Sequence, residues 1–324
     1  MKAVVMSKYG SADDLTIKEV ETPNLKDNEV LVKVKATSVN DWDWSLLTGK
    51  PFIIRLLIGL FKPKKVTIPG VDIAGEVVNM GSRVTHFNLG DRVYGDLSED
   101  NFGGFAEFVA VPETSLTPIP NNMSYEQAAA MPHVSMLAAQ GLRDVGGVQP
   151  GQEVLINGAG GGVGTIGVQI AKAIGVKAIT GVDSEDKFPV MASIGFDHML
   201  DYQTQSFIQQ GKEYDLILDN KMSCSVFSAI RALKPNGKYV VVGGSLSCML
   251  ILICASFFIR FFCRKHVHIL KLIPNKNMRL VGDLFDAEKL KPVIDGPYPF
   301  DDAIKAIEHF GKAKHVGKVV ITLD

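Results

Sequence analysis

The segment Asn157-Gly158-Ala159-Gly160-Gly161-Gly162-Val163-Gly164 carries the clearest chemistry in the chain. It follows an apolar run, Val154-Leu155-Ile156, and leads into a helical pattern that starts at Val163. Strand, small-residue turn and helix is the order needed to seat a pyrophosphate. Small residues let the backbone turn sharply and approach the phosphates, and the helix N-terminus presents free N–H groups and the positive end of its dipole. In the register Ala159-x-Gly161-x-x-Gly164 alanine replaces the first glycine, and Gly164 lets helix and strand pack closely. A glycine cluster alone also fits a plain tight turn. Here the next predicted strand ends in Asp183, 19 residues after Gly164, near the spacing of a ribose-binding carboxylate. The reading is a dinucleotide site formed by Ala159, Gly160, Gly161, Gly162, Val163 and Gly164. Asp183 gives it a lean towards NAD(H), because a carboxylate accepts from both ribose hydroxyls and repels a 2′-phosphate. Asp183 or Ser184 also qualifies as the cap of a helix carrying Glu185 and Asp186 in its first turn. Lys187 offers a phosphate partner, so NADP(H) stays open.

Metal chemistry is not expected. No Cys-x-x-Cys or His-x-x-x-His spacing occurs, and His266 and His268, two apart on a basic segment, make poor ligand geometry. Cys224, Cys248, Cys254 and Cys263 are too few and too clustered for a disulfide framework, which points to a reducing compartment. The opening Met1-Lys2-Ala3-Val4-Val5-Met6 has no signal-peptide pattern, and cytoplasmic placement is the expectation. With Lys plus Arg at 34, Asp plus Glu at 35 and a net charge of -1, nothing attracts nucleic acid.

These residues need elements to hold them. The first ~120 residues read as β-rich, with Glu29–Ala36 alternating at period two and short strands at Val71–Val78 and Phe105–Val111. Ala-rich Tyr125–Gly141 reads as a helix capped by Ser124. From Glu153 the chain alternates. Strands are predicted at Glu153–Asn157, Ala178–Asp183, Met199–Asp201, Tyr214–Asp219 and Lys238–Val242, with helices at Val163–Ile174, Glu185–Ile194 and Cys224–Leu233. That pattern specifies an α/β parallel sheet covered on both faces. The tail returns to short strands and an amphipathic helix, Phe300–Phe310, before a last strand, Gly317–Leu323. The expected division is 1–120, 121–276 and 277–324, with both ends of the chain sharing one domain.

A run of 21 residues between Lys238 and Arg260 lacks charge. Its glycines, its serines and its β-strand start argue for a strand plus a buried or interface helix rather than a bilayer span. Two segments, Arg55–Lys65 and Phe257–Lys265, combine apolar bulk with cations. Peripheral contact with anionic lipid is one reading of them. A subunit interface or a hydrophobic lid is the plainer one.

Beyond these patterns, the chain resembles the medium-chain dehydrogenase/reductase superfamily. Within it, the chain resembles the zinc-free quinone oxidoreductase branch and the subgroup that contains the reticulon-interacting mitochondrial oxidoreductase and its bacterial relatives. The matching segments are Ser38-Val39-Asn40-Asp41-Trp42-Asp43, Ile68–Val77, Leu89–Gly95, Gly103–Phe108, the glycine turn and Lys289–Asp295. The resemblance implies a GroES-like β-barrel catalytic domain around a Rossmann domain, a homodimer, and an active site in the cleft between the domains. It implies hydride transfer from NAD(P)H to a quinone or an α,β-unsaturated carbonyl, a small lipophilic substrate. Catalytic zinc is not expected, since Asn40 and Val71-Asp72 stand where the zinc enzymes carry ligands.

The resemblance places Asn40 near the nicotinamide end, with Asp43 as the nearby polar position. Asp43 also qualifies as a cap for the helix Trp44–Thr48. Gly243, Gly244 and Ser245, at a strand's carboxyl end, are expected to line the nicotinamide side of the crevice. Asp219 with Asn220, and Tyr202, follow strand ends where they can touch the cofactor; a half-buried surface aromatic is the other reading of Tyr202. Leu137 replaces a threonine frequent in the branch and removes a hydroxyl. His133, on the same helix, reads as a packed or surface residue or as a proton donor. Two other functions stay open: a metal-free alcohol dehydrogenase, and a dinucleotide-binding scaffold without turnover.

Overall fold

The computed structural model describes residues 1–222, 225–243, 252, 256, 259 and 263–323. The chain forms two compact units. One comprises Met1–His133, Pro274–Asp286 and Pro292–Asp324, and the other Val134–Ile273 and Ala287–Lys291.

The first unit is built on a mostly antiparallel sheet. Its strands run in the order Ile294–Pro299, Lys318–Thr322, Glu29–Ser38, Asp72–Met80, Arg92–Asp96 and Thr117–Pro118, and Phe108–Pro112 also pairs with Glu29–Ser38. Alternation along Glu29–Ser38 buries Val30, Val32 and Val34 against Ile73, Val93, Val111 and Val319. The late strand Lys318–Thr322 pairs antiparallel with Glu29–Ser38, setting Val320 opposite Ser38. Residues far apart in sequence therefore meet at one strand end.

The second unit holds six parallel strands. Their order is His198–Asp201, Ala178–Asp183, Glu153–Asn157, Tyr214–Asp219, Leu233–Val241, His266–Ile269. This is the doubly wound arrangement, with its order reversing beside the first strand, where open sheets bind ligands at their carboxyl ends. Leu155, Ile217, Tyr239 and Val241 form its core. Leu252 and Ile259, two described residues of the uncharged run, are buried in that core.

Four predicted helices are divided. Tyr125–Gly141 breaks into Tyr125–Ala129, Pro132–Ala139 and a π-helical turn, Gln140–Val145. Pro132 has no N–H to give to an i−4 carbonyl, so the ladder cannot run through it. Glu185–Ile194 starts as a 3-10 turn, Glu185–Lys187, before the helix Phe188–Ile194, again with a proline in its first turn. Cys224–Leu233 becomes a short helix, Val226–Ala229, and a 3-10 turn, Ile230–Ala232, with Leu233 already in the next strand and Cys224 outside the described residues. Phe300–Phe310 starts as a 3-10 turn, Phe300–Asp302, before the helix Ala303–Gly311. Among the described residues, no helix is long and apolar enough to cross a membrane.

Candidate functional site

The glycine turn joins the strand Glu153–Asn157 to the 13-residue helix Gly162–Ile174. Gly158 has φ +84, a left-handed value that suits glycine. The Gly158 and Ala159 amides donate to the Val182 carbonyl at 2.9 and 3.1 Å, tying the turn to the neighbouring strand. A Cβ on Gly164 would lie 2.4 Å from the carbonyl oxygens of both Gly158 and Ala159, so only glycine lets the helix seat this closely. A Cβ on Gly161 would meet only the Gly158 oxygen, at 3.7 Å. The amides of Gly162, Val163 and Gly164 open the helix and, by position, have no intrahelical acceptor. They form an anion-binding cradle.

Asp183 closes the turn from the side. Its Oδ2 accepts from the Gly160 amide at 2.8 Å, and its Oδ1 accepts from the Ser184 amide at 2.9 Å. Lys187 Nζ stands 3.4 Å from Oδ1, and both side chains of the pair are buried. Tyr202 presents an exposed ring, and its amide donates to the Asp183 carbonyl at 3.2 Å. The turn, Asp183, Ser184, Lys187 and Tyr202 therefore gather at one end of the sheet.

Asp219 does not reach that surface. It is fully buried; its Oδ1 accepts from Asn157 Nδ2, the Lys221 amide and the Met222 amide, and its Oδ2 from the Tyr239 hydroxyl at 2.6 Å. Both carboxylate oxygens are engaged inside the fold, so Asp219 braces the strand end. Its neighbour is available instead: Asn220 Oδ1 is buried with no partner among the described residues, next to Gly158. Sequence reasoning paired the two residues without separating their roles. Gly243 follows the strand Leu233–Val241, and no described residue beyond its chain neighbours lies within 4 Å of where its Cβ would stand. Gly244 and Ser245 lie outside the described residues.

The first unit contains a second cluster of buried polar groups, centred on Asp72. Asp72 Oδ2 accepts from Ser38 Oγ at 2.9 Å, Asn40 Nδ2 at 2.9 Å and Lys318 Nζ at 3.1 Å, while Oδ1 accepts from the His133 amide at 2.9 Å. Lys318 also donates to the Val39 carbonyl and to Asn40 Oδ1. The Asn40 amide group is thus fully engaged, since its second N–H faces the Ser38 carbonyl at 3.3 Å. Asn40 is the N-cap of the helix Asp41–Thr48. Asp43 accepts from the Asn40 amide and from the Gly70 amide, both at 2.8 Å, and so caps the helix and pins the Gly70 loop to it. Burial pushes the Asp43 carboxyl up to about 7, against the pull of those two N–H donors and the Lys318 charge. On the far side, His133 Nδ1 lies 2.7 Å from Asp96 Oδ2. No local signal foretold Lys318 or Asp96 as members, because their partners lie far away in the chain.

Comparison with known proteins agrees with this fold. Residues 26–121 match the family described as alcohol dehydrogenase GroES-like domain, and residues 194–321 match zinc-binding dehydrogenase. The 2-methylene-furan-3-one reductase of Solanum lycopersicum is 31% identical over 99% of this chain and 79% of its own length. The NADPH-dependent alkenal/one oxidoreductase, chloroplastic, of Arabidopsis thaliana is 30% identical over the same shares. The solved quinone oxidoreductase from Coxiella burnetii superposes with a TM-score of 0.89 at 25% identity, covering 100% of this chain and 99% of that one.

The second of those family descriptions implies zinc, and the donors present do not fit it. Asp72 accepts four hydrogen bonds, and one of its donors is the Lys318 ammonium, a cation already in place. Asn40 and Val71 offer no thiolate or imidazole, and among the described residues no group of three or more His, Cys, Asp or Glu side chains converges. A dinucleotide, in contrast, fits the cradle of amides and the orphaned Asn220 oxygen. With the mixed GroES-like and Rossmann architecture and relatives at 30–31% identity over 99% of its length, this chain belongs to the medium-chain dehydrogenase/reductase superfamily, in its quinone oxidoreductase-like branch.

Proposed function

We propose that the protein is a zinc-independent NAD(P)H-dependent oxidoreductase that reduces a quinone or an α,β-unsaturated carbonyl compound. The cradle of helix-start amides beside the unpartnered Asn220 oxygen carries this reading, and the names of the relatives support the acceptor class. When bound, the cofactor supplies a hydride to the acceptor. The chain's own contribution is to bind, orient and protonate. The amides of Gly162, Val163 and Gly164 hold the pyrophosphate, Gly160 and Gly161 shape the turn beneath it, Asn220 takes a hydroxyl or amide N–H, and Gly243 leaves room on the nicotinamide side. Ser184 and Tyr202 border the adenosine ribose. Gly244 and Ser245 belong to the same proposed lining. Asn40 and Asp43 act as positioning residues, through Asp72 and the Gly70 loop. We assign the first unit to the acceptor and the second to the cofactor.

The cofactor preference we propose is NAD(H). The Asp183 carboxylate repels a 2′-phosphate, and Lys187, the cation that would attract one, faces Asp183 instead. The exposed free Cys263 agrees with a reducing compartment, and we propose a cytoplasmic homodimer. The decisive measurement is absorbance at 340 nm with NADH and NADPH against quinones, short enones and alcohols. Turnover of quinones or enones with preference for NADH is expected. Cofactor binding with no turnover on any acceptor would defeat the proposal.

A further inference from the structure

Reduction of an enone adds two electrons and a proton as hydride at the β-carbon, and the resulting enolate still needs a second proton. No residue named so far in the reaction supplies it, because Asn40 is fully engaged and Asp43 faces two backbone amides.

His133 differs from its neighbours in the cluster. Its amide is fixed by Asp72 Oδ1, and its ring by Asp96 Oδ2 at 2.7 Å. Asp96 is itself locked, accepting from the Ser98 amide at 2.7 Å and exchanging backbone hydrogen bonds with the Asn275 side chain at 2.9 Å each. Asp72 therefore holds His133 and Asn40 with its two oxygens, so the histidine backbone and the end of the strand Glu29–Ser38 share one anchor. With Nδ1 committed, Nε2 is the free nitrogen of the ring and has no partner among the described residues, while the side chain keeps a narrow opening, 7% of its surface. A ring oriented by a buried carboxylate with its second nitrogen free is the arrangement of a general acid.

We propose that His133 is a catalytic residue, the acid that protonates the reduced acceptor from Nε2, and that Asp96 is the positioning residue that orients and charges it. This rests on the reductase reading above. The Nε2–H bond breaks and leaves its electron pair on the ring, and a new O–H or C–H bond forms on the enolate. Solvent then returns a proton to Nε2. Burial alone works against the imidazolium. The hydrogen bond and charge of Asp96, with the charge of Asp72 and against that of Lys318, carry its proton affinity above the ordinary histidine value. Asp96 is correspondingly held below the usual carboxylate range by His133 despite its own burial. The ring is therefore charged, and able to donate, up to a pH above the ordinary histidine range, and loses its proton as pH rises further.

The test is the pH profile of kcat/KM for a short enone with NADH. For the wild type, the rate falls with rising pH through one ionisation above the ordinary histidine value, and a solvent deuterium isotope effect accompanies it. Asp96→Asn keeps an acceptor for Nδ1–H but removes the charge, so the same limb moves to lower pH. His133→Gln removes the limb and lowers the rate at pH 6 about a hundredfold. Imidazole NMR of the unliganded protein gives an independent readout: one histidine titrates high in the wild type and lower in Asp96→Asn. Wild-type turnover with a flat profile, or a limb unmoved in Asp96→Asn, overturns the role of His133 and leaves the reductase reading standing. Both readouts hold even where His133→Gln does not fold. No wild-type turnover on any acceptor overturns the reductase reading itself, and this role with it.

Discussion

Asp183 and Lys187 stand side by side at the rim of the glycine turn, each buried and each the other's counter-charge. Their pairing gives the cofactor preference a direct test. Asp183→Ser removes the repelling carboxylate and frees Lys187, so the ratio of kcat/KM for NADPH over NADH is expected to rise about tenfold or more, a difference of ~1.4 kcal/mol. The variant should also melt lower, because removing one member of a buried pair strands the other. An unchanged ratio in a folded variant would remove Asp183 from cofactor selection. At this scale the sequence was informative where a role is local or follows a known spacing. Asp43 serves the helix start, but from its third position, with Asn40 as the cap and the helix beginning at Asp41 rather than Trp44. Asp183 is found by its 19-residue spacing from Gly164. The Asp72–Lys318 contact and the Asp96–His133 contact are not visible in this way, since they join residues 246 and 37 positions apart and leave no periodic trace. Asp219 and Asn220 show the same limit: both end a strand, and only the fold decides which oxygen is consumed.

The elements that carry the turn were readable for a simple reason. Buried parallel strands are short apolar runs, and Glu153–Asn157, Ala178–Asp183 and Tyr214–Asp219 appear at the predicted residues. Helix ends were less legible around Pro132 and Pro189, where a missing N–H decides the geometry more than hydrophobic spacing does. The helix Gly162–Ile174 depends on Gly164 for its approach to the turn. Gly164→Ala places a methyl 2.4 Å from two carbonyl oxygens, so the helix start must move away. Destabilisation of about 1–3 kcal/mol is expected. A clear loss of NADH affinity should accompany it in a fluorescence titration. Wild-type affinity in this variant would show that the helix start does not hold the pyrophosphate.

For the molecule as a whole, one stretch of surface is unusual. Phe52, Leu56, Leu57, Leu60 and Phe61 are exposed, Phe61 to 89%, around the helix Ile53–Ile58. Arg55, Lys62, Lys64 and Lys65 accompany them, and no acid occurs between Asp43 and Asp72. We propose that this stretch contacts anionic membrane lipid, which would bring lipophilic acceptors within reach. Flotation with vesicles containing phosphatidylserine should carry the protein upward at low salt. Leu57→Ser with Phe61→Ser should abolish this, and absence of wild-type protein from the lipid fraction would dismiss the idea. The second segment of this type, Phe257–Lys265, lies largely outside the described residues.

The ammonium of Lys318 has one more consequence, and it concerns time. Asp72 is translated 246 residues before the lysine that neutralises it. At about 5–20 residues per second, the emerging chain carries an unmatched carboxylate in its half-built core for on the order of ten seconds or more. The first unit cannot finish folding behind the ribosome in the order in which it is made. It must wait for a strand delivered after the whole second unit.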